Sequence, residues 1–498
     1  MNVYTHEANT RQATVWHSAL WRTAVFGFAL IATACTTIDR AILTEPDPIK
    51  LSDNDIKEKL SSTLARLEQS DSFTDLADAA KSARWLYQRD RSNPQYEMDY
   101  YRLTSALVLV THSPDFLGQL RLIFDQSKTL ASLDLDTPAV VEAKMLYATL
   151  RNQKYFSQRD LDKIKDVLQR GLREKNHNRP AQEMLARLYS TEGHHELALS
   201  IHRQMMDHEP DDPLILRNYG YAHWKKAADH LCEENDVQGF EAAREALVNA
   251  VKRNPEDAET HRNLALVYDA LGKKELYLFE AQRFNALANS RQSKQLYADA
   301  LYANFRPAEA VTAYTSLIEQ EPDAKAIYWK TQRTYFLTGD WKNSIIAADK
   351  AQDSLKISNP YGNVIKSLAV WHTEGEAAAR KVLEKQTNSS AQDSWKQSIV
   401  DFLLRKTNET ALFAMADNRC KKTEANLYVG YRYLLEQDVQ TASKYFQQTV
   451  DFQFWGHYAT TLALARLNNS NSNAANAVSA ESSNRRVEPT EATQTGGN

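Results

Sequence analysis

The chain has 498 residues, 43% of them hydrophobic and 25% charged, with 14 glycines, three cysteines and a formal net charge of −4. So little glycine leaves few tight turns for a many-stranded β fold, and the composition points to an all-α protein. The acidic balance lacks the cationic field that draws proteins onto DNA or RNA, so nucleic acid is excluded as a partner.

Residues 24–37 read AVFGFALIATACTT. The apolar core from Ala24 to Ala34 is 11 residues long, whereas a helix needs about 20 to cross a bilayer. Arg11 and Arg22 precede the run and small residues lead up to Cys35, the layout of a secretory signal. Ala32, Thr33, Ala34 and Cys35 resemble the lipobox of bacterial lipoproteins. That resemblance implies a signal peptide over 1–34, a Cys35 that carries acyl chains such as palmitate, and a tether over 35–50. Several acyl chains on one residue make a stable membrane anchor, which a single chain does not. Thr36 rather than Asp after the cysteine implies, by the same family's sorting habit, the periplasmic face of the outer membrane.

Residues 51–178 carry apolar positions at helical spacing, in stretches such as LADAAKSARWLYQRD and VVEAKMLYATLRN, broken up by Pro94, Pro114 and Pro138. Irregular helical hairpins are expected there. A repeat follows over 179–358. In RPAQEMLARLYSTEGHHELALSIHRQMMDHEPDD, Leu185, Ala186, Tyr189, Gly193, Ala198 and Pro210 stand at positions 7, 8, 11, 15, 20 and 32. The 34-residue unit resembles the tetratricopeptide repeat: small residues at 8 and 20 let two helices approach, an aromatic at 11 fills the gap, and proline ends the second helix. Leu264, Ala265, Tyr268 and Gly272 repeat the pattern, as do Ala298, Ala310, Tyr314 and Pro322, then Tyr335, Gly339 and Ser344. Gly430, Tyr433, Ala442 and Phe446 repeat it once more near the end. Tyr277 stands where a small residue belongs, so its helix pair is expected to be splayed or shifted. The resemblance implies an α-solenoid of tetratricopeptide hairpins.

One unit, 213–257, is 45 residues long, 11 more than the repeat. Eleven residues make about three helical turns, so LRNYGYAHWKKAADHLCEEN is expected to be one long first helix that stands out as a ridge, with Asn235 or Asp236 capping the next. Residues 359–467 read as degenerate hairpins and a closing helix, and the polar tail over 468–498 as disordered.

No catalytic template is present: GxxxxGK[ST], GxGxxG, GxSxG and HExxH are all missing, so neither an enzyme nor a cofactor is expected. His194, His195, His202 and His208 read as solvated turn residues and one packed ring rather than metal ligands. Cys232 and Cys420 should be far apart in a linear stack in which each repeat touches only its neighbours, and are expected to be free, buried thiols.

In this repeat the first helix of each hairpin lines the inner groove. Reading off its groove positions gives Arg187, Arg217, Tyr221, Trp224, Lys225, Arg262, Tyr302, Trp329, Arg333 and Phe336. Arginine and aromatic residues are enriched at binding hot spots, and on this face they suit an extended acidic or C-terminal peptide. A polysaccharide is a second candidate ligand, because rings also stack on sugars. Lipobox and repeats together resemble tetratricopeptide lipoproteins of the Gram-negative envelope. ANLYVGYRYLLEQDVQTASKYFQQTV is similar to the terminal repeat of the new lipoprotein I type, which scaffolds cell-wall hydrolases. The resemblance implies a membrane-anchored scaffold for envelope proteins, with assembly of a polysaccharide-export or pilus/secretion complex as the alternative.

Overall fold

A computed structural model describes residues 51–468, apart from short segments at 68–71, 128, 131–134, 152–156, 175–177, 321–324, 356–359 and 388–393. The signal peptide, Cys35, the tether and the tail from 469 onward lie outside the described residues. The architecture is an all-α solenoid of antiparallel helical hairpins. Its helices are α1 (Asp53–Leu67), α2 (Phe73–Arg89), α3 (Pro94–Thr111), α4 (Pro114–Gln126), α5 (Pro138–Arg151), α6 (Gln158–Glu174), α7 (Arg179–Thr191), α8 (His195–His208), α9 (Pro213–Asp229), α10 (Val237–Arg253), α11 (Ala258–Ala270) and α12 (Lys274–Ala288). They continue with α13 (Arg291–Ala303), α14 (Pro307–Gln320), α15 (Lys325–Thr338), α16 (Trp341–Leu355), α17 (Pro360–Glu374), α18 (Glu376–Thr387), α19 (Ser394–Leu403), α20 (Glu409–Met415), α21 (Arg419–Leu435) and α22 (Val439–Asp451). A final helix, α23, runs over 458–468. The chain divides into two compact units between Met205 and Met206, inside α8.

In the first unit the prolines start helices. Pro94, Pro114 and Pro138 are the first residues of α3, α4 and α5, where a missing N–H is no loss and the fixed φ suits the helix. Asn93 caps α3 by accepting from the Gln95 backbone N–H at 3.0 Å. Leu76, Leu86, Tyr101, Leu107, Phe116 and Leu120 bury one core, and Val140, Ile164, Leu168 and Leu185 a second. His195 was expected in a solvated turn, but it opens α8 and is buried, as is His202.

The second unit shows why the repeat positions hold small residues. A Cβ on Gly220 would lie 2.7 Å from Leu247 Cγ, and one on Gly430 would lie 2.7 Å from Phe446 Cε1. Ala265 and Ala298 are fully buried at the equivalent places, so paired helices approach closely. Tyr277 does fit: it is buried in one cluster with Tyr268 and with Ala265, Ala281 and Ala300, whose small side chains leave room for the ring.

Two expectations fail in this unit. The extra residues of 213–257 prolong the first helix only in part, for α9 has 17 residues against 13 in α7, α11 and α13 but stops at Asp229, and a loop runs to Asp236. As the sequence suggests, Asp236 caps α10, accepting from the Gly239 backbone N–H at 2.7 Å. Glu233 and Glu234 would have placed two carboxylates at a helix C-terminus, against its dipole. The cysteines are not free thiols either: Cys232, in that loop, is disulfide-bonded to Cys420 in the first turn of α21, with 5.0 Å between the Cα atoms. The linear-stack premise breaks down because the carboxy-terminal hairpin returns to touch repeats far from it in sequence.

Candidate functional site

The predicted groove residues divide into three sets. Arg187 lies on α7 in the first unit and is exposed. On the first helices of the leading hairpins of the second unit, five are half-buried: Arg217, Tyr221, Trp224, Lys225 and Arg262. Arg217 Nη1 donates to both carboxylate oxygens of Asp257, at 3.1 and 2.9 Å, tying α9 to the residue that precedes α11. The Tyr221 and Trp224 ring centroids are 5.5 Å apart. Lys225 pairs with Asp229, and Arg262 with Glu259 at 3.4 Å.

Further along the same face the groove is closed. Trp329 and Phe336 are buried, and the Tyr302 hydroxyl is fully enclosed. The expectation that these three face an open groove is therefore corrected. What covers the face is α21 and α23. Phe336 and Tyr431 rings meet edge to face at 5.3 Å. Arg466 Nη2 donates to the Phe336 carbonyl at 3.0 Å, and its Nε donates to the Tyr431 hydroxyl at 3.1 Å. Its guanidinium also lies over the Phe336, Trp341 and Tyr431 rings. Arg333 stands over the Tyr458 ring, 5.2 Å from its centroid.

At the centre of this contact is Glu424, 5% exposed. It accepts from Trp395 Nε1 at 2.7 Å, Tyr361 OH at 3.0 Å and Tyr458 OH at 3.1 Å, with His457 Nε2 at 3.4 Å. Three helices and the closing segment thus converge on one carboxylate. Nearer the start of the unit, Gly272 has φ +70°, and a Cβ there would lie 2.7 Å from the Trp455 ring. Glycine is needed for the left-handed end of α11 and for the close approach of that indole. The clasp is completed by Arg419, whose backbone N–H donates to the Cys232 carbonyl at 2.9 Å. Its side chain reaches the carbonyls of Leu231, at 3.2 Å, and Phe452, at 2.9 Å.

The groove-filling hairpin was missed from the sequence, yet it left a signal. Every residue from Thr423 to Tyr431 is buried, and the stretch NLYVGY has no strongly polar stripe. An apolar run such as LYVGY, with no polar face for solvent, belongs inside a protein rather than at the end of a stack.

An acidic pair lies beneath the closing segment. Asp299 accepts from the Tyr314 hydroxyl and pairs with Lys330. Burial, and then the charge of Asp299, push the Asp269 carboxyl up to about 7, against the opposing pull of Lys274 and Lys330. The folded state therefore holds a proton that the unfolded chain releases near pH 4. Stability from this group is full below about pH 4, declines as pH rises to about 7, and is flat above. Asp269→Asn should remove that decline, so the difference in urea midpoint between variant and parent grows from pH 4.5 to pH 8; a constant difference would contradict the assignment.

A tetratricopeptide-repeat family model matches residues 236–276 and 298–360. Among solved structures the chain is similar to a thermophilic TPR protein of Thermus thermophilus, with 21% identity over 39% of this chain and 96% of that one and a TM-score of 0.33. It is also similar to yeast Tom70, with 12% identity over 84% of this chain and 96% of that one and a TM-score of 0.37. PilF of Pseudomonas aeruginosa matches at 14% identity over 47% of this chain and 92% of that one, with a TM-score of 0.29. The comparison with curated proteins gives no match. Tetratricopeptide repeats are thus present in this chain, and repeats of this kind bind protein or peptide partners on their extended faces.

Proposed function

We propose that the chain is a non-catalytic scaffold of the bacterial envelope, hung by acyl chains on Cys35 from the periplasmic face of the outer membrane. Its partners are proteins that present an acidic or carboxy-terminal peptide. The observation that carries this reading is the half-exposed Tyr221–Trp224 ring pair with Arg217 and Arg262 on neighbouring first helices. Rings and guanidinium groups are the side chains that most often anchor a partner. Asp257 already holds Arg217 through its Nη1, so a partner carboxylate would meet a guanidinium fixed in place. The Cys232–Cys420 bond supports the envelope placement, because disulfides persist in oxidising compartments such as the periplasm.

The test is co-purification from membranes with the full chain. Arg217→Ala with Arg262→Ala should reduce partner recovery at least tenfold, a loss of about 1.4 kcal/mol or more, with an unchanged helical circular dichroism signal. Both side chains are partly exposed, so the fold should survive their loss. Cys35→Ser should move the protein from the membrane to the soluble fraction. Full recovery by the double variant would refute the groove assignment, and a membrane-bound Cys35→Ser variant would refute the anchor.

A further inference from the structure

The Cys232–Cys420 bond has unlike surroundings at its two ends. Cys420 is the second residue of α21, and Asn418 caps that helix by accepting from the Lys421 backbone N–H at 3.0 Å. The first turn holds no acidic residue, while Arg419, Lys421 and Lys422 stand beside Cys420 in the chain. Of these cations, Lys421 pairs with Asp417 at 2.8 Å. Arg419 pairs with no carboxylate among the described residues; its guanidinium rests on the Leu231 and Phe452 carbonyls and over the Phe454 ring. A helix amino-terminus and an uncompensated cation both favour a thiolate over a thiol.

Cys232 sits in the loop that follows α9, and Glu233 and Glu234, both exposed, come directly after it. Adjacent carboxylates favour the protonated thiol. Arg419 reaches both ends, through the Leu231 and Cys232 carbonyls on one side and its own place in α21 on the other, so the helix end and the two glutamates set the asymmetry. Both cysteines are half-buried, so the bond is not sealed inside the core. The two sulfurs are therefore unequal leaving groups. Cys420 leaves the more readily, because a thiolate of lower pKa is expelled faster.

We infer that this bond is an exchange site for dithiols, and that its exchange sets how readily the carboxy-terminal hairpin leaves the inner face. One sulfur of the dithiol, as thiolate, bonds to Cys232 Sγ, and the electron pair of the Cys232–Cys420 bond leaves on Cys420 Sγ, the thiolate that the helix end stabilises. The second sulfur of the dithiol, having lost its proton, attacks the first and expels Cys232, which takes up a proton. The dithiol is thereby oxidised to a disulfide, two electrons pass to the chain, and the second proton goes to Cys420 or to solvent. Once the bond is open, the Arg419 contacts still dock the hairpin at rest, but its opening no longer requires the loop after α9 to move with it. The face that opens is the one at which Phe336 now meets Tyr431. The inference needs neither the Cys35 anchor nor the Arg217–Arg262 surface, so each can fail without the others.

The unaltered full chain is the test object, so no variant has to fold. It is treated under native conditions with glutathione in the presence of an alkylating agent, and the adducts are mapped by mass spectrometry, with any on Cys35 counted apart. Glutathione on Cys232 with the alkyl group on Cys420 should exceed the reverse pattern by about tenfold or more. In a second arm dithiothreitol reduces the bond and amide hydrogen exchange is followed. Amides of the buried stretch 423–431 should then exchange about tenfold faster or more, while those of α7 in the first unit keep their rates. Equal adduct patterns, or glutathione mainly on Cys420, would overturn the assignment of the leaving sulfur. A bond that stays closed in excess dithiothreitol, or unchanged exchange at 423–431 after full reduction, would overturn the inference as a whole.

Discussion

Replacing Cys232 and Cys420 together by Ser is expected to lower the stability of the second unit by about 2–4 kcal/mol and to change how it unfolds. The bond joins residues 188 apart in sequence, so in the unfolded chain it restricts a very long loop. In the folded state it pins the first turn of α21 to the loop that follows α9. Stacked repeats otherwise couple only to their neighbours and loosen in steps. With the clasp intact, the first and last hairpins of the unit report on each other and should melt together; without it, the carboxy-terminal hairpin should leave first. Urea curves followed by tryptophan fluorescence, with and without reductant, test this. Superimposable curves for parent and double variant would refute it. The contacts of Arg419 with the Leu231 and Phe452 carbonyls should keep the hairpin docked in the variant at low denaturant, so the native circular dichroism signal is expected to persist.

Glu424→Ala should be the more damaging single change, destabilising by about 3 kcal/mol or more. Its carboxylate serves Tyr361, Trp395 and Tyr458 at once, with His457 close by. Removing it takes a shared acceptor from three donors and opens a void among aromatic rings. Glu424→Gln keeps one acceptor oxygen and should cost about half as much, because each neutral hydrogen bond is weaker than one to a charged group. The consequence reaches the groove. With α21 and α23 undocked, Phe336 becomes accessible, so limited proteolysis after residue 405 should accelerate in the Ala variant. An Ala variant within about 1 kcal/mol of the parent would mean that the hairpin is held mainly by the Phe336–Tyr431–Arg466 stack rather than by this hub.

The repeat was legible because its logic is local. Ala265 and Ala298 are small, Tyr268 is large, and Gly272 follows the first helix, each for a reason contained within one hairpin or between two adjacent ones. The same locality makes Asp236 the cap of α10. The ten groove residues were chosen by position within a hairpin, and position alone does not say what lies opposite. Arg217, Tyr221, Trp224 and Arg262 remain half-exposed, while Phe336 meets Tyr431 of α21 and Arg466 of α23, more than 90 residues further on. The misjudged loop at 230–236 has a related cause. Counting turns favours a longer helix, but two glutamates at a helix end and a capping aspartate favour a loop, and that loop finds its partner on α21.

The amino-acid sequence by itself determined the all-α class, the hairpin unit and the small-large pairing that sets each helix crossing, because these are decided by contacts within about 40 residues of chain. Only the tertiary structure decided that the carboxy-terminal hairpin lies against the inner helices, that Cys232 meets Cys420, and that Glu424 gathers donors from three helices. Each of those depends on a small rotation per repeat that accumulates over many hairpins until distant segments touch. No single repeat carries that sum.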